Sequence, residues 1–281
     1  MAPWRDYSGR VSLLKSVVFL ALFLPAIGVA FAYLHGDLGA RPRTEAIHQI
    51  GLWTIRFLFL ALLVTPARQL FNWPQLLVVR RMIGVAAAAY VLIHLTLYAW
   101  DEAFDLPKVA AEIVLRIYLT IGFVALSGLV ILATTSTDGM TRWLGGREWQ
   151  KLHRIVYVIA FLGVVHFCMQ SKLNEWEPTV MAGFYVWLIG WRLLARAAGR
   201  NQVPLWRVAA LSIGVGLATA LGETVYFVIA LGAPFWRVLE ANLTLDTGLR
   251  PSWVVMGVCV LATLLGAWRR PGQAPRRLAS T

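Results

Sequence analysis

The sequence predicts an all-α polytopic membrane helical bundle, and three observations carry that prediction. Hydrophobic residues make up 59% of the 281 positions and charged ones 14%, with a mean hydropathy of +0.66, which is more apolar surface than a soluble core absorbs. Apolar windows of at least ~18 residues, each long enough to cross hydrocarbon as a helix, recur along the chain. Basic residues gather in alternate connections, as the positive-inside rule requires. A net charge of +12 could suit nucleic acid, but Arg and Lys fall in short runs between apolar segments and form no continuous basic face. Nucleic acid is therefore not expected as a partner.

Taken in order, the first window lies near residues 12–34. Arg5, Arg10 and Lys15 before it give the outline of a secretory signal, but the run from Val17 to Leu34 is too long for a cleaved segment and lacks a small-x-small exit. It is expected as a retained span. Windows near 47–65, 78–100, 112–134, 151–170 and 178–198 complete a block of six, and those near 205–232 and 252–269 form an extension of two. Arg68, Arg80 and Arg81, then Arg142, Arg147, Lys151 and Arg154, then Arg192, Arg196, Arg200 and Arg207, then Arg269, Arg270, Arg276 and Arg277 all fall on one side. Asp37, Glu45, Asp101, Glu175 and Glu240 are among the acidic residues of the other. Eight spans with both termini cytoplasmic satisfy that alternation. Cys168 and Cys259 lie in apolar segments without CxxC spacing and read as packing residues.

The stretch WQKLHRIVYVIAFLGVVHFCMQ, Trp149 to Gln170, reads as one apolar helix with His153 at its basic end and His166 near the other, about 20 Å apart along the axis. The third span, from Arg80 to Trp100, carries His94. Counted from Arg80 and Lys151, His94 and His166 are about 14 and 15 residues in, or roughly 21 and 22 Å by helical rise, so they share one depth towards the outer face. Paired imidazoles on neighbouring helices can hold an iron porphyrin, and the pair reads as axial ligands of a haem; the alternative is a structural hydrogen bond from each to a neighbouring helix. His153 sits with Lys151 and Arg154 at the cytoplasmic edge, where it is either a ligand or cofactor contact or a solvated imidazole. An ideal helix leaves it ~140° in azimuth from His166. Arg80 and Arg81 stand where a second imidazole would be wanted, so one haem is expected and a second is left open. His48 opens the second span as an interfacial residue or further ligand, and His35 reads as solvated.

Several polar residues complete the inventory. Arg56, inside the second span, is expected to snorkel or to meet a haem propionate or quinone. Glu112 and Arg116 read as an i,i+4 pair. Glu223 in the seventh span shows no sequence partner. The loop TSTDGMTRWLGGREWQKLH could cradle a flavin phosphate, although such a composition also suits a plain connector. No GxGxxG after a strand, Walker motif or HExxH is present.

The segments HQIGLWTIRFLFLALLVTPARQL, RRMIGVAAAAYVLIHLTLYAW, EIVLRIYLTIGFVALSGLVILATTST and LGGREWQKLHRIVYVIAFLGVVHF resemble, in order and spacing, the MsrQ family of the ferric reductase-like transmembrane group. These are the haem-binding membrane subunits of the periplasmic methionine sulfoxide reductase system. The likeness covers roughly residues 10–200. It implies a six-helix ferric reductase-like core over 1–200; beyond it, hydropathy and charge read as two additional transmembrane helices over 201–270 and a basic cytoplasmic tail over 271–281. The resemblance also implies that His94, His153 and His166 are haem-associated, places His48 at a position where the family has histidine, and adds FMN as an associated cofactor beside haem b. The resemblance says nothing of the last two spans. No flavin and nicotinamide domain is read in the sequence, so electrons are expected from a separate carrier.

The expected function is a bacterial inner-membrane b-type cytochrome without substrate chemistry of its own. It would take electrons from the quinone pool or a cytosolic flavin reductase and pass them to a periplasmic molybdenum-containing partner of the MsrP type. His94 and His166 would be iron ligands, while His153 with Arg80, Arg81 and Arg154 would receive a second haem, a flavin phosphate or quinone at the inner face. The rivals are a proton or ion transporter lined by buried histidines and a stand-alone ferric or quinone reductase.

Overall fold

The computed structural model describes residues 4–5, 9–171, 175–199, 202–246 and 248–269. The described residues are all-α and contain eight segments long and apolar enough to cross a membrane, matching the number of windows in the sequence. Their helices are α1 (Leu13–Ala21), α2 (Leu24–His35), α3 (Pro42–Leu70), α4 (Leu77–Asp101), α5 (Leu106–Leu115), α6 (Ile117–Thr134), α7 (Asp138–Leu144), α8 (Gly146–His153), α9 (Val156–Gln170), α10 (Trp176–Ala198), α11 (Leu205–Leu231), α12 (Phe235–Leu243) and α13 (Pro251–Trp268). The expected basic tail over 271–281, with Arg270, Arg276 and Arg277, lies outside the described residues, as does Arg200. Two compact units form, one from residues 1–62 and 77–170, the other from 63–76 and 171–281. Helix α3 contributes to both. The sixth span, counted with the first block in the sequence, groups with the seventh and eighth.

In the first unit α6 is the spine, packing against α9, α4 and α5. Three of its expected continuous helices are interrupted. The first span breaks between α1 and α2, because Pro25 has no N–H to continue the ladder. Tyr90 of α4 repairs the gap: its hydroxyl accepts from the Ala26 N–H at 3.0 Å and donates to the Leu22 carbonyl at 2.7 Å. The window expected over 112–134 begins as a span only at Ile117. Arg116, extended at φ −107° and ψ 105°, ends α5 and starts α6, and Thr120 Oγ1 donates across the break to the Ile113 carbonyl at 2.6 Å. The expected Glu112–Arg116 pair forms at 3.1 Å, with the Tyr98 hydroxyl also donating to Glu112. The third break, at Arg154 and Ile155, divides the expected Trp149–Gln170 helix into α8 and α9. An ideal-helix azimuth between His153 and His166 therefore does not apply.

In the second unit α10, α11 and α13 pack closely through small residues, as membrane helices do without a hydrophobic drive between them. A Cβ added at Gly216 would lie 2.6 Å from Met256 Cβ, and one at Gly183 would lie 2.7 Å from Thr219 Oγ1 and from Val255. Arg192, read from sequence as a connection residue, is buried within α10, where its Nη1 donates to the Leu188 carbonyl at 2.7 Å. Glu223 has a partner that sequence spacing concealed. Arg250, just before α13, donates from Nη2 to Glu223 Oε1 at 2.6 Å and from Nε to Asn242 Oδ1 at 2.9 Å. Asn242, fully buried at the end of α12, donates to the Ala220 carbonyl and to Thr224 Oγ1, and its own carbonyl accepts from Ser252. This network ties the short helix α12 to α11 and α13.

Candidate metal centre

His94 projects from α4 and His166 from α9, two helices held by the common neighbour α6. Their ring centroids lie 6.5 Å apart with the planes crossed at 85°. Two imidazoles bound to one metal through Nε2, with each bond about 2 Å and each nitrogen about 1.1 Å from its ring centre, would set the centroids roughly 6.2 Å apart. The observed separation suits one shared ion.

The second nitrogen of each ring is committed. His94 Nδ1 lies 2.8 Å from the Ile47 carbonyl of α3, and His166 Nδ1 lies 2.8 Å from the Tyr118 carbonyl of α6. A carbonyl only accepts, so Nδ1 carries the hydrogen in both rings and the Nε2 lone pair is left for a metal. Such a hydrogen bond also fixes the ring's orientation and raises its basicity as a ligand. Among the described residues no cluster of three or more His, Cys, Asp or Glu is placed to hold a metal ion, so an ion held by these two rings would need its other ligands from a further group. A porphyrin supplies four coplanar nitrogens, and this donor set fits haem better than a closed zinc site.

Two glycines make the approach possible. A Cβ on Gly51 of α3 would lie 2.9 Å from His94 Nδ1 and Cε1, and one on Gly122 of α6 would lie 2.7 Å from His166 Nδ1. Neither residue was singled out in the sequence. A glycine within an apolar helical run asks for a packing reason, and that was the available signal.

His153 is not brought to this pair. At the end of α8 it stacks on Trp149, with centroids 3.9 Å apart and planes 24° apart, and its Nε2 lies 3.2 Å from Thr135 Oγ1. The Thr135 hydroxyl has one hydrogen and its nearer acceptor is the Ile131 carbonyl at 2.7 Å, so His153 Nε2 is the donor to Oγ1. Trp149 Nε1 donates to the Thr135 carbonyl at 2.8 Å. Trp149 and Thr135 thus hold His153 from two sides, and neither role was visible in sequence. Arg80, Arg81 and Arg154 are exposed, and the charges of Arg80 and Arg81 act on His153. Arg81 is also paired with Asp138 at 2.6 Å, and its hydrogen bond and charge hold the Asp138 carboxyl below its ordinary value. His48 is exposed on the first turns of α3, next to Ile47. Arg56 lies over the Trp53 ring, 4.9 Å from its centroid.

Comparison with known proteins now adds a second line. Residues 50–164 match the family described as ferric reductase like transmembrane component. The chain is 42% identical over 199 residues to the protein-methionine-sulfoxide reductase heme-binding subunit MsrQ of Rhodospirillum rubrum, covering 70% of this chain and 93% of that protein. The chain belongs to the MsrQ family. The MsrQ of Azospira oryzae is 39% identical over 189 residues, covering 66% of this chain and 81% of its own length, and that of Xanthomonas campestris is 43% identical over 165. No solved structure matches. The ferric reductase match takes in His94, His153, Gly51 and Gly122 and stops two residues before His166. MsrQ membership thus agrees with the resemblance read from the motifs.

Proposed function

We propose that this chain is a transmembrane b-type cytochrome that carries electrons between the two faces of the bacterial inner membrane, with both termini cytoplasmic. The observation that carries this reading is the crossed pair His94 and His166, with ring centroids 6.5 Å apart and each Nδ1 committed to a backbone carbonyl. Haem would supply a one-electron centre. His94 and His166 would hold the iron through neutral imidazoles, the carbonyls of Ile47 and Tyr118 would fix those rings, and the surrounding apolar helix faces would keep out water and set the potential.

His153, Trp149 and the nearby Arg80, Arg81 and Arg154 would form the entry point at the α8 end of the span, where electrons would arrive from a quinol, a flavin mononucleotide or a flavin reductase. His153 would serve there as a polar contact for the arriving carrier, since its Nε2 is given to Thr135. The names of the relatives support a methionine sulfoxide reductase as the acceptor. A periplasmic molybdenum-containing subunit of the MsrP type, docked on the acidic outer loops, fits that role.

Purified full-length protein should show a Soret band that shifts on addition of dithionite, with close to one haem per chain at this site. Reduced haem should be reoxidised when the partner reductase and methionine sulfoxide are both added, and not by either alone. Absence of a redox-active Soret band would overturn the reading. Reoxidation by soluble iron chelates, with no effect of the partner, would favour a stand-alone reductase.

A further inference from the structure

The two imidazoles are seated by the same device on two different helices. His94 of α4 reaches the carbonyl of Ile47 beside Gly51, and His166 of α9 reaches the carbonyl of Tyr118 beside Gly122. In each case the glycine stands four residues after the accepting carbonyl, one helical turn along the same face. That carbonyl already accepts the N–H of the residue at i+4 within its own helix, and a side chain at i+4 would cover it. Removing the Cβ at that one position opens the carbonyl to a ring from the neighbouring helix. The clearance has no slack, since the nearest ring atom to a Cβ at position 122 is Nδ1 itself, at 2.7 Å.

On the reading that His94 and His166 are the axial ligands, we propose that Gly51 and Gly122 are positioning residues that set the 85° crossing of the two ligand planes and the hydrogen bond behind each. A methyl group at either position drives the ring off its carbonyl. Nδ1–H then loses its acceptor, Nε2 becomes a weaker donor, and the plane rotates. The orientation of each ligand plane is decided by a residue that never touches the iron. Perpendicular imidazole planes give a strongly anisotropic low-spin ferric resonance, so the crossing can be read directly by electron paramagnetic resonance.

The structure supplies its own control. Gly128 also lies on α6, and a Cβ there would meet Ile159 of α9 at 2.9 Å, a crowding of the same two helices that involves no histidine. Gly51→Ala, Gly122→Ala and Gly128→Ala would be purified as full-length protein and compared in haem content, midpoint potential and the largest g-value of the ferric resonance. Gly51→Ala and Gly122→Ala are expected to move the g-value and the potential and to weaken haem retention about tenfold, in the range of outer-shell changes at metal sites. Gly128→Ala is expected to keep the parent resonance. Parent values in both Gly51→Ala and Gly122→Ala would overturn the proposal, as would an equal shift in Gly128→Ala, which would make the effect one of helix spacing. His94→Ala and His166→Ala, run alongside, test the ligand reading separately: if either retains a full bis-imidazole spectrum, that reading fails whatever the glycine variants do. If Gly122→Ala fails to accumulate, Gly51→Ala, on the other side of the pair, carries the same test.

Discussion

Alanine at His94 or at His166 is expected to remove bound haem almost completely while leaving the protein inserted in the membrane. On the proposed ligand reading each substitution would take away one of two bonds to the iron, and losing a direct ligand should exceed the roughly 10- to 100-fold loss of affinity that outer-shell changes cause. The fold should survive because no buried group is stranded. The carbonyls of Ile47 and Tyr118, which now accept Nδ1–H, each keep the helical N–H bond of their own ladder. The measurement is Soret absorbance per mole of protein, with membrane-fraction abundance as the check on insertion. Because the two ligands act as a unit, the double variant should lose little more than either single one. His153→Ala should behave differently: with its Nε2 given to Thr135 and its ring stacked on Trp149, its loss should spare the haem held by the other two.

The second large effect is expected in the other unit. Arg250→Ala should destabilise the protein by about 3 kcal/mol, the lower end of the range for breaking a buried ion pair, because Arg250 is a quarter exposed while Glu223 is almost wholly buried. Removing the cation leaves a carboxylate whose other oxygen, Oε2, has no hydrogen-bond partner among the described residues. It also takes the Nε donor from Asn242, which fastens α12 to α11. Glu223→Gln should cost less, since the guanidinium left behind can reach water. The midpoint of thermal unfolding in detergent orders the variants. Equal stability of Arg250→Ala and the parent would mean that the pair contributes nothing net, and a larger loss for Glu223→Gln would mean that the wrong partner had been taken as the buried one.

Much of the architecture was legible because it follows from local chemistry. Backbone groups in hydrocarbon must be satisfied within a segment, so each long apolar window had to be a helix, and eight windows gave eight spans. The matched depth of His94 and His166 followed from helical rise and the position of basic residues, and the structure brings those rings together. The interruptions were less legible. Pro25 was a visible breaker, whereas Arg116 and the Arg154–Ile155 step carry no breaker residue. Glu223 and Arg250 are 27 residues apart, a distance that no periodic reading connects.

The sequence by itself determined the class of the protein, the number of its candidate spans and which histidines lie in apolar segments, because hydropathy, charge and ionisable groups in apolar segments are properties of single residues and short windows. Tertiary structure alone decided which nitrogen of His94 and His166 is committed to a carbonyl, that His153 is turned aside to Thr135 and Trp149, and that Gly51 and Gly122 lie against the His94 and His166 rings. Those outcomes depend on which carbonyl of a neighbouring helix comes within about 3 Å of a ring, and a distance of that kind exists only once the helices have packed.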